Sequence, residues 1–372
     1  MIVPSGNGAE AGLARSEHIY TARTLMEVVH HLRGDKCLPK ALSQVDFIDA
    51  PMLDMADVRG QQSARRAMEI AAAGGHHILL IGSPGCGKTL LATRLPGILP
   101  MASDEEAIES AAIASVSGRG LDLTRFRQRP FRSPHHTSSA VALAGGGTQP
   151  KPGEISLAHN GVLFLDELAE WDRKSLEVLR QPLESGTVSI SRAANTAEFP
   201  ARFQLVAAMN PCPCGWFGDN SGRCRCTADA IERYRGKLSG PLLDRIDIHL
   251  AMSRISHEEL HLNAPLGESS AVIRERVIKA RDRQRQQSGV CNAHLSQSQL
   301  KQLCQLSDGN QNLLDQAMNA LQLSARATYR ILRVARTIAD LADSADIETP
   351  HLTEAIQYRQ LDRALAVPKR RG

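Results

Sequence analysis

Aromatic residues make up only 3% of the 372 positions, which removes stacked aromatic platforms as the main mode of any nucleic-acid contact. Charge of either sign is barely in excess. Lys and Arg number 44 against 40 Asp and Glu, a net +4, so composition neither demands nor excludes a polyanionic partner. No apolar run approaches the roughly 20 residues of a membrane span, and no membrane role is expected. Ile2-Val3 leads straight into Pro, Ser and Gly, which does not read as a signal peptide. The eight cysteines lack the short, disulfide-dense context of a secreted scaffold, and this points to the cytoplasm. The remainder, 42% hydrophobic and 23% charged, is ordinary for a chain long enough to form two to three domains.

One stretch organises the rest. Ile78-Leu-Leu-Ile-Gly-Ser-Pro-Gly-Cys-Gly-Lys-Thr89 is a buried strand, a glycine-rich turn and a helix start, with Pro96 expected to stop that helix after Leu95. Its spacing Gly82-x-x-x-x-Gly87-Lys88-Thr89 is the phosphate-binding P-loop pattern in the strand-to-helix setting that the pattern requires. Backbone N–H groups of Gly82, Ser83, Pro84–Gly85, Cys86 and Gly87 (all but the proline carry one) curl around phosphate oxygens. Lys88 reaches the β- and γ-phosphates and the Thr89 hydroxyl binds Mg²⁺, so ATP and Mg²⁺ are the expected cofactors.

Gly161-Val-Leu-Phe-Leu-Asp-Glu167 is an apolar strand that delivers two carboxylates at its carboxyl end. Asp166 suits the Mg²⁺ shell, and Glu167 suits activation of an attacking water. Residues 202–210 form another buried strand ending on Asn210, where a third polar group meets the γ-phosphate; the competing reading is an Asn-Pro turn. Thr187–Arg192 and Asn195–Phe199 alternate with period two and read as a hairpin. Cys212-Pro-Cys214 and Cys224-Arg-Cys226 match the ligand number of a structural Zn²⁺ site, with reduced thiols or a reversible disulfide as the alternatives. Arg245 stands at a helix–strand junction, where an ion pair with Asp244 or Asp247 competes with a role on a neighbouring subunit. Ser175–Glu184 and Ser103–Val116 read as helices, and from Ser270 onward helical periodicity dominates. Arg274, Arg276, Lys279, Arg281, Arg283 and Arg285 stud one of these helices, a solvated face or a nucleic-acid surface. Arg119, Arg125, Arg127, Arg129 and Arg132 make the irregular stretch before Pro134-His-His136 equally basic.

This order of motifs resembles the AAA+ ATPases. Arg129-Pro-Phe-Arg-Ser-Pro-His-His-Thr137, Pro152-Gly-Glu-Ile-Ser-Leu-Ala-His-Asn-Gly161 and Ala207-Ala-Met-Asn-Pro-Cys-Pro-Cys-Gly215 resemble the magnesium-chelatase-like ComM/YifB family in particular. The resemblance implies a three-layer α/β/α fold around a parallel sheet, with a β-hairpin insertion and an all-helical lid. Residues 50–265 would be the ATPase core, 266–372 the lid, and 1–49 a linker plus the end of an otherwise absent Lon-protease-like domain. It makes Lys88, Glu167, Asn210, Arg245 and Arg326 the catalytic set, with Arg245 an arginine finger and Arg326 a second sensor (Arg330 as fallback). Arg192 becomes a DNA contact on a pore hairpin. A homo-oligomeric ring, a hexamer, is implied, and so is ATP-driven branch migration or unwinding of DNA during recombination and natural transformation. A metal-chelatase motor subunit and a nucleotide-binding scaffold without motor activity are the alternatives.

Overall fold

The computed structural model describes residues 1–14, 16–41, 52–118, 120, 122–147, 150–191, 196–219, 222–254 and 267–361. Two compact units result, Met1–Pro51 with Met101–Gln128 and Met52–Pro100 with Arg129–Gly372.

In the first unit, β1 (Ile2–Pro4) pairs in parallel with β2 (Tyr20–Ala22). A helix runs Leu25–Arg33; the Thr24 hydroxyl accepts the Glu27 N–H and Gly34 closes the end. Its apolar clusters are small: Val3, Ile19 and Ala41 in one, Leu13 with Ala102, Ala107 and Phe126 in another. That second cluster is why residues 101–128 pack within this unit. Helix Asp104–Ser117 starts in the anticipated way, with Ser103 and Glu106 forming a capping box.

The second unit carries the remaining strands: β3 (Ile78–Gly82), β4 (Phe131–Arg132), β5 (Gly145–Gly146), β6 (Lys151–Pro152), β7 (Val162–Leu165), β8 (Thr187–Ser191), β9 (Thr196–Pro200), β10 (Gln204–Met209) and β11 (Ile248–Met252). Five of them form one parallel sheet in the order β11-β3-β10-β7-β4. Alternation along the strands divides the core in two. Ile78, Leu80, Phe164, Val206 and Ala208 face helices Gln62–Gly74, Lys88–Ile98, Ser270–Ser288 and Ala325–Leu341. Leu79, Ile81, Leu163, Leu165 and Ala207 face Leu143, Trp171, Leu176, Tyr234 and Leu242 on the other side. A sheet covered on both faces explains strand sequences apolar at nearly every position. The arrangement is α/β/α with the C-terminal helices stacked on the face that carries helix Lys88–Ile98. Among the described residues, no helix is long and apolar enough to cross a membrane.

Three local expectations change. Helix Lys88–Ile98 runs through Pro96, whose missing N–H forfeits one bond near a helix end, and Leu99 N–H closes on the Pro96 carbonyl at 3.3 Å. The helix expected over Ser175–Glu184 splits into Arg173–Glu177, capped by Asp172, and Pro182–Ser185, which Pro182 initiates. The arginines of Ser270–Ser288 largely anchor that helix to the core. Arg274 donates to the Gly97 carbonyl, Arg281 to the Ala72 carbonyl, Arg276 forks onto Glu268 and Glu69, and Arg283 pairs with Asp343. Only Lys279 and Arg285 of the six remain exposed. That leaves little of the basic face for a polyanion.

The hairpin β8–β9 forms in the expected place, with Thr187 opposite Pro200 and Ser191 opposite Thr196. Arg192 lies outside the described residues, as does Arg119.

Candidate functional site

Parallel strands in register bring three chain segments to one edge. Met209 pairs with Ile81, and Ala207 with Leu165, so Gly82, Asp166 and Asn210 leave the sheet side by side at its carboxyl end. There β3 turns through Ser83–Gly87 into the helix that begins at Lys88. Gly85 and Gly87 take φ of 78° and 94°, a left-handed backbone that a side chain would strain, and this curls the loop around its own N–H groups.

Lys88 is folded back onto that loop. Its Nζ donates to the Gly82 carbonyl at 2.7 Å, the Ser83 carbonyl at 3.1 Å and Asn210 Oδ1 at 3.2 Å. The Thr89 hydroxyl donates to Asp166 Oδ2 at 2.7 Å, so the two candidate Mg²⁺ ligands already converge, and both are hard oxygen donors suited to that ion. Cys86 is buried beside Lys88, and desolvation raises its thiol pKa; in the neutral form it fills space under the loop. Lys88, Thr89, Asp166 and Asn210 therefore meet, as expected of a phosphate-binding edge.

Glu167 sits next to them with a left-handed φ of 52° and its side chain about half exposed. Its Oε2 lies 3.0 Å from His136 Nδ1. Sequence reasoning passed over His136 as part of a basic stretch, and the doubled histidine after Pro134 was the available signal. Gln61 was also missed. Its side-chain amide donates to the carbonyls of Cys86 and Ser253, tying the P-loop to the end of β11. The basic stretch itself is largely engaged. Arg129 caps the Pro100 and Asn160 carbonyls, Arg132 forks onto Glu154, and Arg127 pairs with Asp104.

Arg245 and Arg330 are not at this edge. Arg245 precedes β11, which runs parallel to β3 with Ile248 opposite Ile78, so it lies at the amino end of the sheet. Five residues of strand separate that end from the P-loop, about 16 Å. Arg245 is nearly buried and donates to Glu184 and to the Pro241 carbonyl; neither Asp244 nor Asp247 is its partner. Arg330 pairs with Asp247, which is almost wholly buried. Burial alone would raise the Asp247 pKa, but the Arg330 guanidinium and then His76 more than offset it and hold the carboxyl well below its ordinary value. Arg326 is exposed one helical turn before Arg330, with no hydrogen bond or ion pair joining it to the P-loop among the described residues.

Directly after Asn210, the chain gathers four thiols. The Sγ atoms of Cys212, Cys214, Cys224 and Cys226 all lie within 4.8 Å of one another. Cys212 stands 3.4 Å from Cys214 and 3.9 Å from Cys224, with Cys214 to Cys224 at 3.7 Å. A tetrahedral zinc with Zn–S bonds of about 2.3 Å sets its sulfurs about 3.8 Å apart, so the thiols present fit that ion. The Trp216 N–H, then the neighbouring thiols, pull the Cys214 pKa down to about 6, while the same crowding of thiols pushes those of Cys224 and Cys226 up, so one thiolate forms readily beside neighbours that stay protonated until a cation joins them.

Comparison with known proteins agrees with this geometry. The family described as magnesium chelatase, subunit ChlI, matches residues 54–260, and the ChlI C-terminal family matches residues 267–359. The chain is 48% identical over 370 residues to the competence protein ComM of Haemophilus influenzae, a likeness spanning 98% of this chain and 72% of that protein. It is 47% identical over 365 residues to the uncharacterized protein YifB of Salmonella typhimurium and 46% identical to that of Escherichia coli, with the same coverage. The P-loop edge, the five-stranded parallel sheet and these likenesses together make the chain a member of the magnesium-chelatase-like ComM/YifB family, with an AAA+ fold.

Proposed function

We propose that this protein is a cytoplasmic, ATP-hydrolysing ring motor, a hexamer, that acts on DNA during recombination. The observation carrying this reading is the convergence of Lys88, Thr89, Asp166, Glu167 and Asn210 at one sheet edge. In it, Lys88 leaves the Gly82 and Ser83 carbonyls for the β- and γ-phosphates, and Thr89 and Asp166 share Mg²⁺. Glu167 orients and deprotonates the attacking water, and Asn210 reports on the γ-phosphate. Arg245 completes a neighbour's site, because at the far end of the sheet it has no reach to its own. Arg326 is the second sensor of the same reading. The four cysteines hold a structural Zn²⁺. Arg192, in the segment joining β8 to β9, is the expected DNA contact.

ATP turnover, measured with and without forked DNA alongside oligomer mass, tests this. DNA should stimulate turnover and Arg192→Ala should abolish the stimulation. Glu167→Gln should lower turnover by about 100-fold or more while ATP still binds. A DNA-indifferent ATPase refutes the DNA role, and turnover that survives Glu167→Gln refutes the site assignment. The ChlI family match favours one other reading, a motor subunit of a metal-chelatase complex; co-purification of a metal-binding partner and insertion of metal into a tetrapyrrole would establish it instead.

A further inference from the structure

The cysteine cluster and the P-loop touch. Asn210 binds Lys88, and two residues later Cys212 places its fully buried sulfur in the cluster. Gly215, next to Cys214, lies flat against the pyrrolidine ring of Pro84 inside the P-loop. A Cβ at position 215 would stand 2.7 Å from Pro84 Cδ and 2.8 Å from Cγ, closer than real carbon contacts allow. Gly215 also has φ of 82°, so both its backbone angle and its lack of a side chain are needed. The same turn shapes the thiols: Gly215 N–H donates to the Cys212 carbonyl at 2.9 Å, and Phe217 N–H to Cys212 Sγ at 3.3 Å. One turn of chain thus supplies two of the four sulfurs, the residue that holds Lys88 and the surface backing the phosphate loop.

We propose that metal binding at the four cysteines and nucleotide binding at the P-loop are energetically coupled, each strengthening the other. This rests on the zinc reading above. A metal that fixes Cys212 and Cys214 to Cys224 and Cys226 fixes the turn 210–217 between them. That turn keeps Pro84 and Lys88 in the arrangement that receives phosphate. With the sulfurs released, the turn has freedom to move, and ordering it again opposes nucleotide binding. Coupling is reciprocal by thermodynamic necessity, so bound nucleotide must tighten the metal by the same factor.

The test uses the full chain, Zn²⁺ and a fluorescent ADP analogue under reducing conditions. Metal content is measured first. Chelator-stripped protein should bind the ADP analogue roughly tenfold more weakly than zinc-loaded protein. ADP should lower the rate and extent of zinc transfer to a chelating dye by a matching factor in affinity. Cys224→Ser with Cys226→Ser, which leaves residues 210–217 intact, should mimic stripping. Gly215→Ala should keep its zinc and still lose ADP affinity. If stripping unfolds the chain, the zinc-transfer measurement on folded protein and Gly215→Ala decide the matter. Zinc bound with identical ADP affinity in loaded and stripped protein, or identical zinc affinity with and without ADP, overturns the coupling alone. Protein that binds no zinc overturns the zinc reading and this inference together.

Discussion

Replacing Arg330 with methionine distinguishes a structural pin from a nucleotide sensor. Asp247 is 1% exposed and has three partners: the Arg330 guanidinium, the His77 N–H at 3.1 Å, and His76 Nδ1 at 3.4 Å. Removing the arginine leaves a buried carboxylate with one backbone donor and a histidine, and breaking such a pair costs about 3–5 kcal/mol. For a unit of this size each kcal/mol shifts Tm by about 2 °C, so Arg330→Met should melt about 6–10 °C lower than the parent. Pairing it with Asp247→Asn removes the stranded charge, and the double variant should regain most of that loss, since a buried ion pair and its neutral replacement are often close in energy. Thermal melts of the four proteins give both numbers. An Arg330→Met protein that melts within about 2 °C of the parent yet loses ATP turnover refutes the pin.

Two further outcomes follow from buried or restrained groups. His136→Ala releases the carboxylate of Glu167 for water, so basal ATP turnover should rise while ADP affinity stays constant; a fall in turnover would make His136 a helper of Glu167, not a restraint. His77 is buried and its Nδ1 accepts the Leu205 N–H at 3.0 Å; burial, with Arg330, His294 and His76 nearby and Asp247 opposing, lowers its pKa from 6.5 to about 4. The unfolded chain therefore binds the extra proton first as pH falls. Stability should drop between pH 6.5 and 4 by on the order of 3 kcal/mol and level off below, a slope that urea titrations will show and His77→Gln should flatten.

What the sequence made legible was local chemistry. The P-loop depends on spacing within eight residues, and the sheet strands announce themselves as apolar runs, so the grouping of Lys88, Thr89, Asp166 and Asn210 is legible in the chain itself. The cysteine cluster was readable for the same reason, as two close pairs. Long-range partners were not. Nothing near Arg245 in the chain names Glu184, which lies 61 positions away. The six basic residues of Ser270–Ser288 look the same on paper whether they face water or cap the carbonyls of Gly97 and Ala72. Pro96 misled because a proline near a helix end forfeits little. His136 hid among arginines because its partner, Glu167, stands 31 positions further along, just past the end of β7.

The sheet has two ends with opposite demands, and the arginines at its amino end differ in how firmly they are held. Arg330 is tied to an acid 1% exposed, and withdrawing it strands that charge. Arg245 is tied to Glu184, whose side chain is 59% exposed, so water can solvate the carboxylate when the guanidinium leaves. A phosphate presented by an adjacent subunit carries more charge than Glu184 and accepts the same planar fork. Exchange of Glu184 for phosphate is therefore open to Arg245, while exchange of Asp247 is closed to Arg330. In the ring reading, this ranks Arg245 ahead of Arg330 as the group one subunit lends another. It also makes Glu184 a competitor: Glu184→Gln should loosen Arg245 and raise turnover in the assembled ring, with no effect on the isolated chain's nucleotide affinity. Unchanged turnover in an intact ring would show that Arg245 stays where this structure has it.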